Sequence, residues 1–273
     1  MLSQTRPTRE FLETALRARR LDRTLTTNLP SLDPRDEYSI GPTGIPGLDV
    51  QLGGGFPRGQ LSEIVGARSS GRTSVLLGTI ATATARGELV ALIDALDMLD
   101  VESAVASGVD LNRLLWVRGD VASNVVRCGD GNDRAVNQAV KALTLVLQAG
   151  NFGLVAFDLG EAPVEVLNRL PSTTWLRLQR MIEGSQVVCL LIGNHQVARS
   201  AAGLTLRLEI GGSALGTSRE GQSGESTRRS GLRFGLRMFE GLDIETRVIR
   251  ARIRGREGAV AMLSTTASPH GVR

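Results

Sequence analysis

Lysine is almost missing from this chain: of 32 basic residues only Lys141 is a lysine, and the rest are arginine. Arginine is thus the default cation, and its presence at any one position carries little message by itself. Aromatic residues make up 3% of the chain, which argues against a base-stacking platform of the kind that grips single strands. Only two cysteines occur, Cys128 and Cys189. That usage excludes a disulfide framework and suits a reducing compartment, with the two thiols read as unrelated. No run of about 18 apolar residues appears, so no transmembrane helix is expected. The first residues, "MLSQTRPTREFLETALRARR", hold no apolar stretch, and a secretory signal is not expected either. The expectation is a cytoplasmic protein.

What is present suits a globular chain. At 273 residues, 41% hydrophobic and 22% charged, it has room for one large domain with a core, or a domain plus appendages. Charge is unevenly spread. Residues 199–273 hold 13 arginines against 7 acids, whereas residues 1–198 hold 19 basic against 21 acidic. The basic excess of the C-terminal quarter reads equally as a nucleic-acid contact and as a solvated surface.

Hydrophobic periodicity orders the chain. Residues 8–21 read as a helix, with Thr8 as cap and Phe11, Leu12, Ala15 and Leu16 on one stripe. The stretch Ser39 to Gln60 is rich in turn residues. Strands are predicted at 61–65, 89–94, 114–117, 153–158, 187–192 and 204–210, and helices at 72–86, 100–107, 133–149 and, capped by Ser172, 173–184. Residues 211–231, rich in Gly, Ser, Thr and Arg, read as a flexible segment. Further strands are expected near 233–240, 245–254 and 258–264. The predicted fold class is α/β: a mostly parallel sheet covered by helices on both sides, with antiparallel C-terminal strands. The expected divisions are 1–37 for the N-terminal helix and linker, 38–211 for the core, 212–231 for the flexible segment, and 232–273 for strands completing the sheet.

One motif carries chemistry. "GARSSGRTS", Gly66 to Ser74, has the frame of a phosphate-binding loop, G-x-x-x-x-G-K-[ST], with Arg72 in the place of the lysine. It lies between a predicted strand and a predicted helix, as such a loop must. Backbone N–H groups of residues 67–73, Ser69, Ser70 and Gly71 among them, and the positive end of the helix would form an anion nest that does not depend on the side chain at 72. Thr73 is placed to hold Mg²⁺, and Asp158, ending an apolar strand, fits the second metal-side carboxylate. Arg72 is charged, but planar and longer than lysine. Its substitution for a placed lysine costs about 2–4 kcal/mol of transition-state stabilisation, by analogy with oxyanion-donor deletions. Weak nucleotide binding, slow hydrolysis and a purely structural loop all stay open.

Several segments in order resemble the RecA family: "TGIPGLDVQLGGGFPRGQLSEIVGARSSGRTS", "VALIDALDMLDVESAVASGVDLNRLLWVRGD", "GLVAFDL", "VVCLLIGNHQ" and "LTLRLEI". The resemblance covers roughly residues 40–211 and implies a RecA-like P-loop core binding ATP with Mg²⁺. The departures are specific. Leu96 stands where the family places the glutamate that activates water, and a leucine accepts no proton. Ser103 replaces an aromatic that covers the adenine. The nucleotide-sensing amide falls on His195, which reads equally as an ordinary strand-end residue. The connection "GNHQVARSAAG", which runs straight into the strand "LTLRLEI", is too short for the family's mobile DNA-gripping loop.

These losses, with "GRTS", "LLWVR" and "RLPSTTWLRLQRMIEGSQVVCLLIG", resemble the ImuA-type subgroup of bacterial mutagenesis cassettes. That resemblance implies an accessory role in SOS-induced translesion synthesis. The implied partners are an ImuB-type polymerase-like protein, RecA and an error-prone replicative-type polymerase, on the nucleoid after DNA damage. The helix at 8–21 reads as a docking helix or as one folded on its own domain. A homo-oligomer is compatible with either. Two other readings stay open. One is a DNA-stimulated ATPase. The other is a DNA-binding regulator using Arg228, Arg229, Arg233, Arg237, Arg250, Arg252, Arg254 and Arg256, the last four forming one ridge if 248–256 is a strand.

Overall fold

Apolar runs such as "VALID" and "VCLLIG" have no polar face to give to water, so they settle as central strands covered on both sides. The computed structural model describes residues 40–119, 129–198, 202–216, 238–251 and 257–266. Ten strands are described: β1 (Ile40–Gly41), β2 (Phe56–Pro57), β3 (Leu61–Gly66), β4 (Val90–Asp94), β5 (Leu114–Arg118), β6 (Leu154–Asp158), β7 (Val188–Gly193), β8 (Leu204–Gly216), β9 (Met238–Ala251) and β10 (Val260–Thr266). The helices are α1 (Pro46–Leu52), α2 (Arg72–Ala85), α3 (Val101–Ala106), α4 (Gly129–Ala149), α5 (Val164–Arg169) and α6 (Ser172–Ile182).

The main sheet has eight strands in the order β10-β9-β8-β3-β7-β6-β4-β5. β8, β3, β7, β6, β4 and β5 run parallel, and β9 and β10 are antiparallel, as the sequence predicts. Alternate residues of each central strand enter two different cores. Ile64, Leu92, Ala156 and Leu190 face α2 with its Leu76 and Ile80. Ile93, Phe157 and Leu191 face Val136 and Leu143 of α4 and Trp175 and Leu178 of α6. Strand order therefore brings the carboxyl ends of β3, β4, β6 and β7 to one rim, where an open α/β sheet places its ligand crevice.

Four predictions need correction. The turn-rich stretch before β3 contains α1, started by Pro46 at its first position and ended by left-handed Gly53. Ser172 lies inside α6 and caps nothing; Pro171 precedes it without a side-chain cap. The region before α6 holds a further short helix, α5. Strand β8 runs on to Gly216 instead of ending at 210, because β9 pairs with it as far as Met238. Backbone pairing supplied by a long antiparallel neighbour overrides the weak strand propensity of "GGSALG". The predicted N-terminal helix with Phe11, Leu12, Ala15 and Leu16 lies outside the described residues, as do Arg228, Arg229, Arg233, Arg237, Arg252, Arg254 and Arg256.

Candidate functional site

The loop between β3 and α2 closes tightly on itself. Gly71 takes φ +88° just before α2, and Ser69 takes φ +62°, rare for a residue with a side chain. A Cβ on Gly71 would collide with Ile244 of β9, so glycine is required there both for its dihedral and for space. Gly66, Ser69, Ser70, Gly71, Arg72 and Asp158 come together at the rim. Thr73 and Ser74 occupy the first turn of α2 and are exposed. The Ser70 side chain is buried, and its Oγ has no hydrogen-bond partner.

Arg72 does not stand free over the loop. Its side chain is 9% exposed, and Nη2 donates to Glu161 Oε1 at 2.7 Å while Nη1 reaches the Gly160 carbonyl at 3.4 Å. The other Glu161 oxygen accepts from Asn194 Nδ2 at 2.7 Å. The Asn194 bond and the neighbouring Arg72 and Arg68 charges hold the Glu161 carboxyl below the usual range. Glu161 sits on the turn after β6 and Asn194 at the end of β7, so three elements meet at one carboxylate.

Asp158 accepts from the Gly160 N–H at 2.7 Å. Burial, with added repulsion from Asp94 and Glu161, pushes its carboxyl up to about 6. Leu96 is partly buried against the α4 side of the core, and its Cδ1 lies 3.6 Å from where a Cβ on Gly160 would stand. An apolar group thus walls the turn that carries Glu161. The nearby acids are committed elsewhere. Asp94 accepts from Met98 N, Leu99 N and Trp116 Nε1, and Asp97 forms a two-bond pair with Arg118 at 2.7 Å, the guanidinium lying 4.6 Å from the Trp116 ring centroid. Ser103 is exposed and turned back onto the α3-capping Asp100.

The sequence reading gave the sensing position to His195. In the structure the preceding residue, Asn194, touches the Arg72–Glu161 pair, while His195 is exposed and lines a cleft of about 560 Å³ with Gly66, Ser70, Arg207 and Glu209. Behind that cleft the β7–β8 connection is anchored by buried Glu63, which accepts from Val197 N and Ala198 N at 2.8 Å each and from Thr205 Oγ1 at 3.3 Å. Arg250 lies on β9 opposite Thr205, away from the loop. On the same sheet Arg207 faces Glu209 at 3.8 Å and Arg247 bonds Glu245 at 2.9 Å, so both of these arginines already sit beside a carboxylate. Sequence reasoning missed Glu161, Asn194 and Glu63. The available signal was a carboxylate shortly after a strand-end Asp and a lone Glu inside an apolar strand.

Residues 31–199 match the family described as the RecA N-terminal domain. The chain belongs to that family. Among curated RecA proteins, that of Mycolicibacterium smegmatis is 33% identical over 159 residues, covering 58% of this chain and 46% of the relative. That of Francisella philomiragia is 30% identical over 225 residues, covering 80% and 59%. That of Mycobacterium ulcerans is 38% identical over 125 residues, covering 45% and 32%. This RecA-family chain thus spans between 32% and 59% of the length of those relatives. A crystal structure of the RadB recombinase has the same fold, with a TM-score of 0.53 over 83% of this chain and 96% of that one, at 19% identity. The expected RecA-like α/β core is therefore correct. Among the described residues no helix is long and apolar enough to cross a membrane.

Proposed function

We propose that the chain is an ImuA-type accessory of SOS-induced translesion synthesis, a RecA-family core that works mainly through protein contacts. Its partners on this reading are an ImuB-type polymerase-like protein, RecA and an error-prone replicative-type polymerase, in the cytoplasm and on the nucleoid after damage. One observation carries the proposal: the groups that would drive phosphoryl transfer are absent or already engaged. Leu96 offers no base, and Arg72 is turned into Glu161. Catalysis by positioned charge needs donors aimed at the transferred group.

The loop still suits an anion. Its glycine geometry is kept, and buried Ser70 Oγ is an unused donor. ATP would lie along residues 66–74, with Thr73 and Asp158 on the Mg²⁺ side, and would supply the phosphates that the N–H nest binds. With Arg72 paired to Glu161, that binding is weak. Residues 1–37 are proposed as the N-terminal helix and linker, with Phe11, Leu12, Ala15 and Leu16 as the docking stripe, 38–211 as the core, 212–231 as the flexible segment and 232–273 as the part that completes the sheet.

Damage-induced mutagenesis tests this reading. Strains carrying Thr73→Ala or Asp158→Ala should keep most of the activity, whereas deletion of residues 1–25 should abolish it together with capture of the ImuB-type partner. Brisk DNA-dependent ATP turnover by the isolated chain, removed by Thr73→Ala, would sink it.

A further inference from the structure

A guanidinium cannot shed its proton, so a largely buried arginine must hold an anion. In a phosphate loop the ligand can provide one. Here the chain itself does: Glu161 Oε1 lies 2.7 Å from Arg72 Nη2. The turn is built for that reach. Gly160 adopts φ +54°, and its N–H is fixed by Asp158, which swings residue 161 back over the start of α2. The Glu161 side chain is 40% exposed while that of Arg72 is 9% exposed. The acid therefore lies on the solvent side of the pair and can leave, whereas the arginine cannot. Among the described residues, the buried polar atoms without a partner include Ser70 Oγ within the loop and Asn194 Oδ1 on the amide that bonds Glu161. A hydrated phosphate could accept from the first and donate through its water to the second.

We propose that Glu161 is an internal competitor for phosphate. Its carboxylate neutralises Arg72 while the loop is free, and a phosphoanhydride binds by displacing it. Displacement also releases the Asn194 amide at the end of β7, where the connection held by Glu63 begins. The device sets what the loop accepts. A monoanion no stronger than a carboxylate gains nothing by exchange, whereas a di- or polyphosphate adds charge and further acceptors for the N–H nest. This inference rests on reading residues 66–74 as a nucleotide loop.

The test is calorimetric titration of the full chain with pyrophosphate and with ATP, each with Mg²⁺. Glu161→Ala and Glu161→Gln should bind about tenfold more tightly than the unaltered chain. Asn194→Ala, which only loosens the competitor, should gain about threefold. Adding Arg72→Ala to Glu161→Ala should remove the gain. Melting curves provide a second measurement. Without ligand both Glu161 variants should melt lower, since Arg72 loses its partner, and pyrophosphate should raise their Tm more than that of the unaltered chain. Glu161 variants that are folded but bind no more tightly, or no detectable binding by any form, would overturn the proposal. Partner capture and mutagenesis by the unaltered chain report separately on the accessory role. Their failure in the unaltered chain would strike that role and leave the phosphate competition standing.

Discussion

Asp94 and Asp158 are register partners at the carboxyl ends of adjacent strands, yet their carboxyls are served very differently. Asp94 collects Met98 N, Leu99 N and Trp116 Nε1, while among the described residues Asp158 has the Gly160 N–H alone. Asp158 is accordingly raised from about 3.8 to about 6, by burial first and then by Asp94. In the folded state it holds its proton to higher pH than in the unfolded chain. Its contribution to stability is therefore present below about pH 4 and is lost as pH rises through 6. Asp158→Asn should stabilise the protein at pH 7.5 by up to about 3 kcal/mol, with the gain vanishing below pH 4. Denaturant titrations at the two pH values check this. An equal gain at both would contradict the assignment.

Leu96→Glu alone should not restore hydrolysis. The new carboxylate would enter beside Gly160, near Asp158 and Glu161, and Arg72 would remain engaged. Phosphate release should stay at background for this variant. Combining it with Arg72→Lys and Glu161→Ala should raise the rate by at least about tenfold, because base and placed cation are then both available.

Glu63 is 1% exposed and raised by its burial, an effect opposed by the Ala198 and Val197 N–H bonds. Glu63→Ala would strand two backbone donors and the Thr205 hydroxyl. A loss of about 3 kcal/mol is expected, with faster proteolytic cleavage within residues 194–203 than elsewhere. Glu63→Gln, which can still accept from the backbone, should recover part of both. Uniform cleavage would argue that the connection is held by other means.

At the opposite rim, Arg58 bonds Glu88 at 2.8 Å with 6% and 4% of their side chains exposed, and also donates to the Gln186 carbonyl at 2.6 Å. Gly153 abuts that carboxylate: a Cβ there would collide with Glu88 Oε2. Gly153→Ala should therefore cost about 2 kcal/mol by overpacking, and Arg58→Ala about 3 kcal/mol through the half-stranded acid, Arg86 remaining as its partner. Neither should alter pyrophosphate affinity in the folded protein, which separates this rim from the loop.

The described C-terminal strands pair Arg207 with Glu209 and Arg247 with Glu245. Arg207→Ala with Arg247→Ala should leave the salt dependence of binding to a labelled oligonucleotide unchanged within about one unit of log–log slope. A drop of two units would place a phosphate-tracking surface on these strands.

Local chemistry made much of this protein legible in its sequence. The nearly continuous apolar runs at 89–94, 153–158 and 187–192 read as buried strands, and "GARSSGRTS" between a strand and a helix reads as a tight turn with the frame of a phosphate loop. Period, turn residues and volume are properties of neighbouring residues, so no coordinates were needed. What the charged groups do was decided by tertiary structure alone. Strand order brings Glu161, Asn194 and Arg72, distant in the chain, within 2.7 Å contacts, and long pairing with β9 turns "GGSALG" into strand. Coulomb attraction and hydrogen bonding act between whichever groups the fold makes neighbours. A sequence fixes which charges exist, and the packing of the sheet fixes which of them are already spent.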